Sequence, residues 1–250
     1  MMTIRSSLRR LVLVVSALAL VTGAASAAAG AATGPNASGG SDAAKAAKIN
    51  VTSSDLPSPA KWSSSSAPSS AVSLGKAAVS CMKKAGAKVS NDPFGTVGKA
   101  GGNASADVTS KLFGFKGSLT GLPSVNSEVV FVSTAKQAIA DLSAFGGAKV
   151  QPCLKTLMAG VTGAQSGGKV KASVAVKPLP HLGAGKGGVH LRFTLTGGNI
   201  PGKLYEDLYY YVTSRAEVAL TYVNLTQPFS SAWADGIAKH VMARATKIAR

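Results

Sequence analysis

Acidic side chains are scarce in this chain: Asp and Glu together number ten among 250 residues. That scarcity weighs against polymer hydrolysis by paired carboxylates, which needs two carboxyls held about 5–10 Å apart. Glu206 and Asp207 are adjacent, so on a strand they point to opposite faces and form no acid/base pair together. Glu128 falls in a strand pattern, and Glu217 and Asp235 read as surface residues. Histidine is scarcer still. His181, His190 and His240 have no second ligand at metal-binding spacing, so neither a metal site nor a cofactor is expected. No Gly-x-Ser-x-Gly elbow occurs. Ser80-Cys81-Met82-Lys83 matches Ser-x-x-Lys, but the Lys-Thr-Gly and Ser-Asp-Asn elements that accompany it in penicillin-binding chemistry are absent. The glycine run Gly183–Gly188 lacks a Gly-Lys-Ser/Thr ending and leads into a strand, whereas a phosphate cradle needs a helix N-terminus behind it. These absences make a non-catalytic protein the expectation.

Long apolar runs are also missing beyond the first residues. Arg5, Arg9 and Arg10 make a basic head, Leu11 to Val21 is uncharged and apolar, and Ala25-Ser26-Ala27 supplies the small residues of a cleavage site. This is the three-part pattern of a secretory signal peptide over residues 1–27. Its apolar run is shorter than the roughly 20 residues a membrane-spanning helix needs. Val21-Thr22-Gly23 looks like the start of a lipoprotein processing site, but Ala24 stands where the acylated Cys would be. The expectation is an exported, freely secreted protein with no lipid anchor and no membrane helix in the mature chain. Residues 28–50, rich in Ala, Gly and Ser, read as a disordered tether, and the folded domain is expected over residues 51–250.

The formal net charge is +17. In an exported protein such a charge favours polyanions, namely lipid head groups or acidic wall polymers. Export and the lack of an aromatic–basic platform argue against nucleic acid. The lysines are scattered rather than blocked, which also fits a role in solubility alone. Cys81 and Cys153 are the two cysteines. An even pair in an oxidising compartment favours a disulfide, which would close a loop of about 70 residues and stabilise by roughly 4 kcal/mol. The competing reading, a reactive thiol, needs a nearby base, and the histidines lie far off in sequence.

Periodicity places the elements. Leu74 to Ala85 reads as a helix with Cys81 on its apolar face, and Val108 to Phe115 and Ser127 to Ser133 read as strands. Thr134 caps a helix over Ala135 to Phe145, and a short helix follows from Pro152 to Met158. Alternation then predicts strands over Lys169–Val176, Gly188–Leu195, Leu204–Thr213 and Glu217–Leu225, before a helix over Ser230–Ile248. The layout is α+β: a curved antiparallel sheet with helices packed on one face and a C-terminal helix. Trp62, an aromatic in a polar surround, reads either as a peg docking its segment or as a ligand contact.

The most site-like feature is phenolic. Tyr209 and Tyr211 share a face of one strand, Tyr222 faces them from the next, and His190 and Arg192 stand on the neighbouring strand. On a wet face they would line a cleft for an amphipathic or anionic ligand. The alternative is that the rings pack under helices.

The order of several elements resembles a family. These are Asp55-Leu56-Pro57 with Trp62, Cys81 on a helix, Ser127–Phe131 with its following helix, and Cys153 after Pro152. Pro178-Leu179-Pro180 before the Val189–Leu195 strand and Gln227-Pro228-Phe229 before the last helix complete the set. Together, over roughly residues 50–250, they resemble the PknH-like extracellular sensor domain of actinobacteria, found on receptor kinases and in stand-alone lipoproteins. The resemblance implies an α+β domain with a central cleft that binds an extracellular ligand without catalysis. Kinase-type members carry two disulfides, whereas Cys81 and Cys153 allow one here. The expected function is a secreted, monomeric, sensor-like ligand-binding domain at or near the bacterial cell wall, its ligand a lipid or an anionic wall polymer. A cell-envelope hydrolase and a partner-binding structural protein are the alternatives.

Overall fold

A computed structural model describes residues 39–66, 80–81, 83–86, 104–118, 121–166, 168–182 and 187–249. The signal-peptide pattern and most of the helix expected over Leu74 to Ala85 lie outside the described residues.

Among the described residues eight strands form one antiparallel sheet. In chain order they are β1 (Trp62–Ser65), β2 (Ala104–Thr109), β3 (Leu112–Phe115), β4 (Ser124–Val132), β5 (Val170–Leu179), β6 (Gly188–Gly197), β7 (Lys203–Thr213) and β8 (Ala216–Leu225). The lateral order is β1-β3-β4-β8-β7-β6-β5, and β2 also pairs with β4. The expected single strand over Val108 to Phe115 is thus broken. Thr109 pairs with Glu128 but Phe113 pairs with Val125, so β2 and β3 run along one edge of β4 with an extra residue between them.

Among the described residues four long helices flank the sheet: α1 (Gly39–Ile49), α2 (Ala135–Gly146), α3 (Gln151–Ser166) and α4 (Ser231–Ile248). Thr134 caps α2 by accepting a hydrogen bond from the Gln137 amide at 3.1 Å. The expected α+β class, the antiparallel sheet and the C-terminal helix are all present. Helices occupy both faces, however, where the sequence placed them on one. One core holds Phe145, Leu154 and Met158 of α2 and α3 against Leu191, Phe193, Leu208 and Tyr210. The other holds Ala46 and Ile49 of α1 and Ile237 and Val241 of α4 against Val129, Val218, Leu220 and Tyr222. The physical reason lies in the central strands. β4 is buried along its whole length, and β7 and β8 nearly so. A strand buried on both sides needs cover on both sides. Only β5 and β6 keep the half-wet alternation that the sequence displays.

Residues 39–49, expected within a disordered tether, are instead helical and packed, and residues 28–38 lie outside the described residues. Small residues suffice for the docking: Ala46 and Ile49 are fully buried. Asp42, in the first turn, accepts from Arg215 Nη2 at 3.0 Å and from Ser105 Oγ. Burial alone would raise the Asp42 pKa, but the Ser105 hydroxyl and the Arg215 guanidinium hold it below the usual carboxylate range.

Cys81 and Cys153 form a disulfide. It ties the helical residues beside Cys81 to the start of α3, which itself packs along β5.

Candidate functional site

The end of α1, the turn after it, β1 and the β2–β3 corner enclose a cleft of about 410 Å³. Its walls are chemically mixed. Trp62, Val108 and Phe113 contribute apolar surface, whereas Asn50, Thr52, Ser64 and Ser110 contribute an amide and hydroxyls. Lys111, which is exposed, adds a cation at the corner.

A buried chain of hydrogen bonds sets the distance between the walls. Asn50 Nδ2 donates to Val108 O at 2.8 Å, and Ser127 Oγ donates to Asn50 Oδ1 at 2.8 Å. The Val51 amide donates to Ser127 Oγ at 2.8 Å, and the Ser127 amide donates to Ser110 Oγ at 2.9 Å. Ser127 lies within β4, so the sheet itself fixes both walls. At the break between β2 and β3, Ser110 stays tied to β4, its amide donating to Ser127 O at 2.8 Å, and with Lys111 it forms the corner of the cleft.

The turn on the α1 side is anchored from α4. Arg244 Nη1 and Nη2 donate to the two carboxylate oxygens of Asp55 at 2.6 and 2.7 Å. Arg244 Nη2 also donates to Asn50 O at 2.9 Å. Asp55 closes a capping box by accepting from the Thr52 amide at 2.8 Å. Burial acts to raise the Asp55 pKa, but the Arg244 guanidinium and the Thr52 amide outweigh it and hold the carboxyl below its usual range. Trp62 is fixed as well: its Nε1 donates to Pro57 O at 2.9 Å, and its ring meets Phe115 edge-on at 5.4 Å. Trp62 is therefore a docking peg, and it also lines the cleft.

The residues singled out from the sequence divide into two groups. Tyr209, Tyr211 and Tyr222 are buried, at 4, 2 and 0% exposure, beneath α4 and the residues leading into it. Tyr222 donates to Ala234 O at 3.0 Å, stands edge-on to Tyr209 at 5.2 Å and tilts against Phe229 at 4.9 Å. These rings pack under a helix rather than lining a wet face, because the apolar side of α4 covers that part of β7 and β8. Burial first, then the Asp235 charge, pushes the Tyr209 hydroxyl up to about 12. Burial likewise raises Tyr211 and Tyr222. Gly188 belongs to this packing: a Cβ there would stand 2.6 Å from Tyr211 Cδ1.

His190 and Arg192 lie at the margin of the covered area. His190 Nε2 meets Asp207 Oδ1 at 2.6 Å, and Arg192 Nε donates to the same oxygen. His190 also lies 4.5 Å from the Tyr209 ring. The structure thus joins His190 and Arg192 through Asp207, on the side of β7 that carries Tyr209.

The sequence reading missed the cleft apart from Trp62. Asn50 and Ser127 are far apart in the chain, and no local pattern links them.

Among the described residues no group of three or more His, Cys, Asp or Glu is placed to hold a metal ion. Among them, too, no helix is long and apolar enough to cross a membrane.

The class these features define is an α+β domain with a cleft at one end of an antiparallel sheet. No family model matches the chain, and no curated protein matches it. Among solved structures the chain is similar to the extracellular domain of PknH from Mycobacterium tuberculosis, with 15% identity and a TM-score of 0.31. The match covers 54% of this chain and 64% of that one. The overlap is too slight to transfer residue roles.

Proposed function

We propose that this chain is an exported, non-catalytic, sensor-like domain that binds an amphipathic ligand in the cleft between α1 and the β2–β3 corner, at or near the bacterial cell wall. The observation that carries the reading is the mixed lining. Trp62 and Phe113 offer an apolar wall, Asn50 and Ser110 face them with polar groups, and Lys111 supplies one positive charge. Clefts that combine a largely apolar wall with a few placed polar groups are the usual form of small-molecule sites. The described lining holds hydroxyls, an amide and an amine, and no carboxylate, imidazole or thiol, which supports binding rather than turnover. The Cys81–Cys153 bond supports export, because disulfides persist in oxidising compartments. A partner-binding role finds less support. The exposed large apolar side chains, Ile139 and Trp233, stand on helices that cover opposite faces of the sheet.

The test uses lysophosphatidylglycerol and muramyl-peptide fragments as probes. Trp62 and Trp233 are the two tryptophans, so a Trp233→Phe background isolates Trp62 fluorescence. The expected result is a raised melting temperature and a Trp62 emission change with at least one probe, both lost when Ser64→Phe crowds the cleft. The reading fails if neither probe alters melting or emission, or if Ser64→Phe leaves the response intact. Turnover of a wall fragment by the purified protein would also end it.

A further inference from the structure

The face of the sheet that carries α1 and α4 is not covered to its edge. α4 lies against β7 and β8, and beyond it no helix among the described residues covers this side of β5, β6 and the start of β7. The pairing register fixes what this open part presents, because directly paired residues point to the same side. Lys171, Thr196 and Lys203 form one row across β5, β6 and β7. Ser173, Thr194 and Tyr205 form the next row, and Ala175, Arg192 and Asp207 the third. Lys177 and His190 follow at the margin of the covered area. Lys171, Lys177 and Lys203 are exposed, and Arg192 is half-buried.

Strand spacing sets the scale. Lys171 and Lys203 are two strands apart, about 10 Å, and Lys171 and Lys177 are six residues apart on one strand, about 20 Å. Hydroxyls fill the intervals. The carboxylate in these rows, Asp207, is 1% exposed and already held by His190 and Arg192. Asp235 of α4, beside Tyr209, is the acid at the boundary. Neither large exposed apolar side chain, Ile139 nor Trp233, stands in these rows. A lipid surface is engaged by apolar side chains as well as by charge. A wide array of cations separated by hydroxyls instead suits an extended polymer whose negative charges are spaced along a hydroxylated backbone.

We infer that the open face of β5, β6 and β7 is a second binding surface, separate from the cleft, and that it holds an extended hydroxylated polyanion. Lys171, Lys177 and Lys203 supply the charge, and Ser173, Thr194, Thr196 and Tyr205 supply hydrogen bonds along the same rows. Two sources share this chemistry, polyol-phosphate chains and acidic polysaccharides.

The experiment measures binding of the full chain to immobilised glycerol-phosphate teichoic acid and to polygalacturonate. Neutral dextran and phosphatidylglycerol vesicles are run alongside. Two triple variants are compared: Lys171→Ser/Lys177→Ser/Lys203→Ser on the face, and Lys155→Ser/Lys239→Ser/Lys247→Ser elsewhere. Both remove the same charge from exposed positions. The face variant is expected to lose affinity for one or both polyanions by about tenfold at 0.1 M salt, with a shallower salt dependence. The control triple stays within about twofold of the parent. Teichoic acid retained without polygalacturonate assigns the phosphate source, and the reverse assigns the polysaccharide. The inference is overturned if both triples weaken binding equally, since net charge alone would then act. It is overturned as well if neither polyanion binds, or if vesicles bind more tightly than either. Ser64→Phe leaves polymer binding unchanged, so failure of the cleft reading and failure of this one are distinguishable.

Discussion

Glu217 stands on β8 with 1% of its surface exposed, on the side covered by α2. Burial, and then the Asp141 carboxyl on α2, pushes its pKa well above the ordinary 4.5, and the Tyr210 hydroxyl offsets this only in part. Glu206, on the same side of β7, is raised by burial and then by its neighbour Asp207. A carboxyl raised on folding binds its proton more firmly in the folded chain than in the unfolded one. The folded state is therefore favoured while both forms are protonated, below about pH 4.5, and loses that advantage as pH rises toward the folded pKa. Glu217→Gln keeps the shape but cannot ionise. The expected outcome is a variant more stable than the parent at pH 8, with the difference shrinking toward pH 4. Urea unfolding at the two pH values measures it. A parent and variant that differ equally at both would show that Glu217 is ionised in the folded chain.

At the scale of elements, α1 depends on a few charged contacts because its apolar stripe is made of small side chains. Arg244 of α4 holds the end of α1 and the following turn through Asp55, Ile49 O and Asn50 O. Replacing it by Met leaves the Asp55 carboxylate 7% exposed without its guanidinium. The expected cost is about 2–4 kcal/mol at pH 7, read by chemical denaturation. Asp55 is held below its ordinary 3.8, so its contribution is complete above that value and is lost as pH falls through the folded pKa. The gap between Arg244→Met and the parent therefore narrows at low pH. A gap that persists at pH 2 would mean that Arg244 acts through packing alone. These contacts also explain what the sequence shows and hides. Lys171, Ser173 and Lys177 alternate with Val170, Val174 and Val176, so β5 and its wet side are legible from one strand alone. Val129, Val130, Phe131 and Val132 announce a strand, but a continuous apolar run does not say that both sides will be covered. The α1 segment reads as a tether because Ala and Gly dominate it. The ties that order it, Asp42 to Arg215 and Asn50 to Ser127, span 173 and 77 residues. The cleft was hidden for the same reason, whereas Trp62 stood out as a large ring in a serine-rich stretch. The phenols were legible as a cluster, but their cover comes from α4, a separate element whose docking no strand pattern encodes.

For the whole molecule, the sheet is the frame that keeps the two proposed surfaces apart. The cleft lies by β1, β2 and β3, and the basic rows lie over β5 and β6, at opposite ends of the strand order. The Cys81–Cys153 bond acts at the second end, because it pins the helical residues beside Cys81 to α3, which rests on β5 and β6. The cysteines are 72 residues apart, so the bond constrains the unfolded chain over a long loop. That constraint stabilises by roughly 4 kcal/mol in the chain-entropy account. Loss of the bond is therefore expected to lower the unfolding midpoint in urea without abolishing the sheet, whose central strands β4, β8 and β7 pair independently of it. The measurement is urea unfolding with and without reductant, alongside Cys81→Ser/Cys153→Ser. The variant should match the reduced parent and should not respond to reductant. If the oxidised and reduced parents unfold at the same midpoint, the bond adds nothing to stability. If the reduced chain loses its strand signal altogether, the sheet depends on the link to α3.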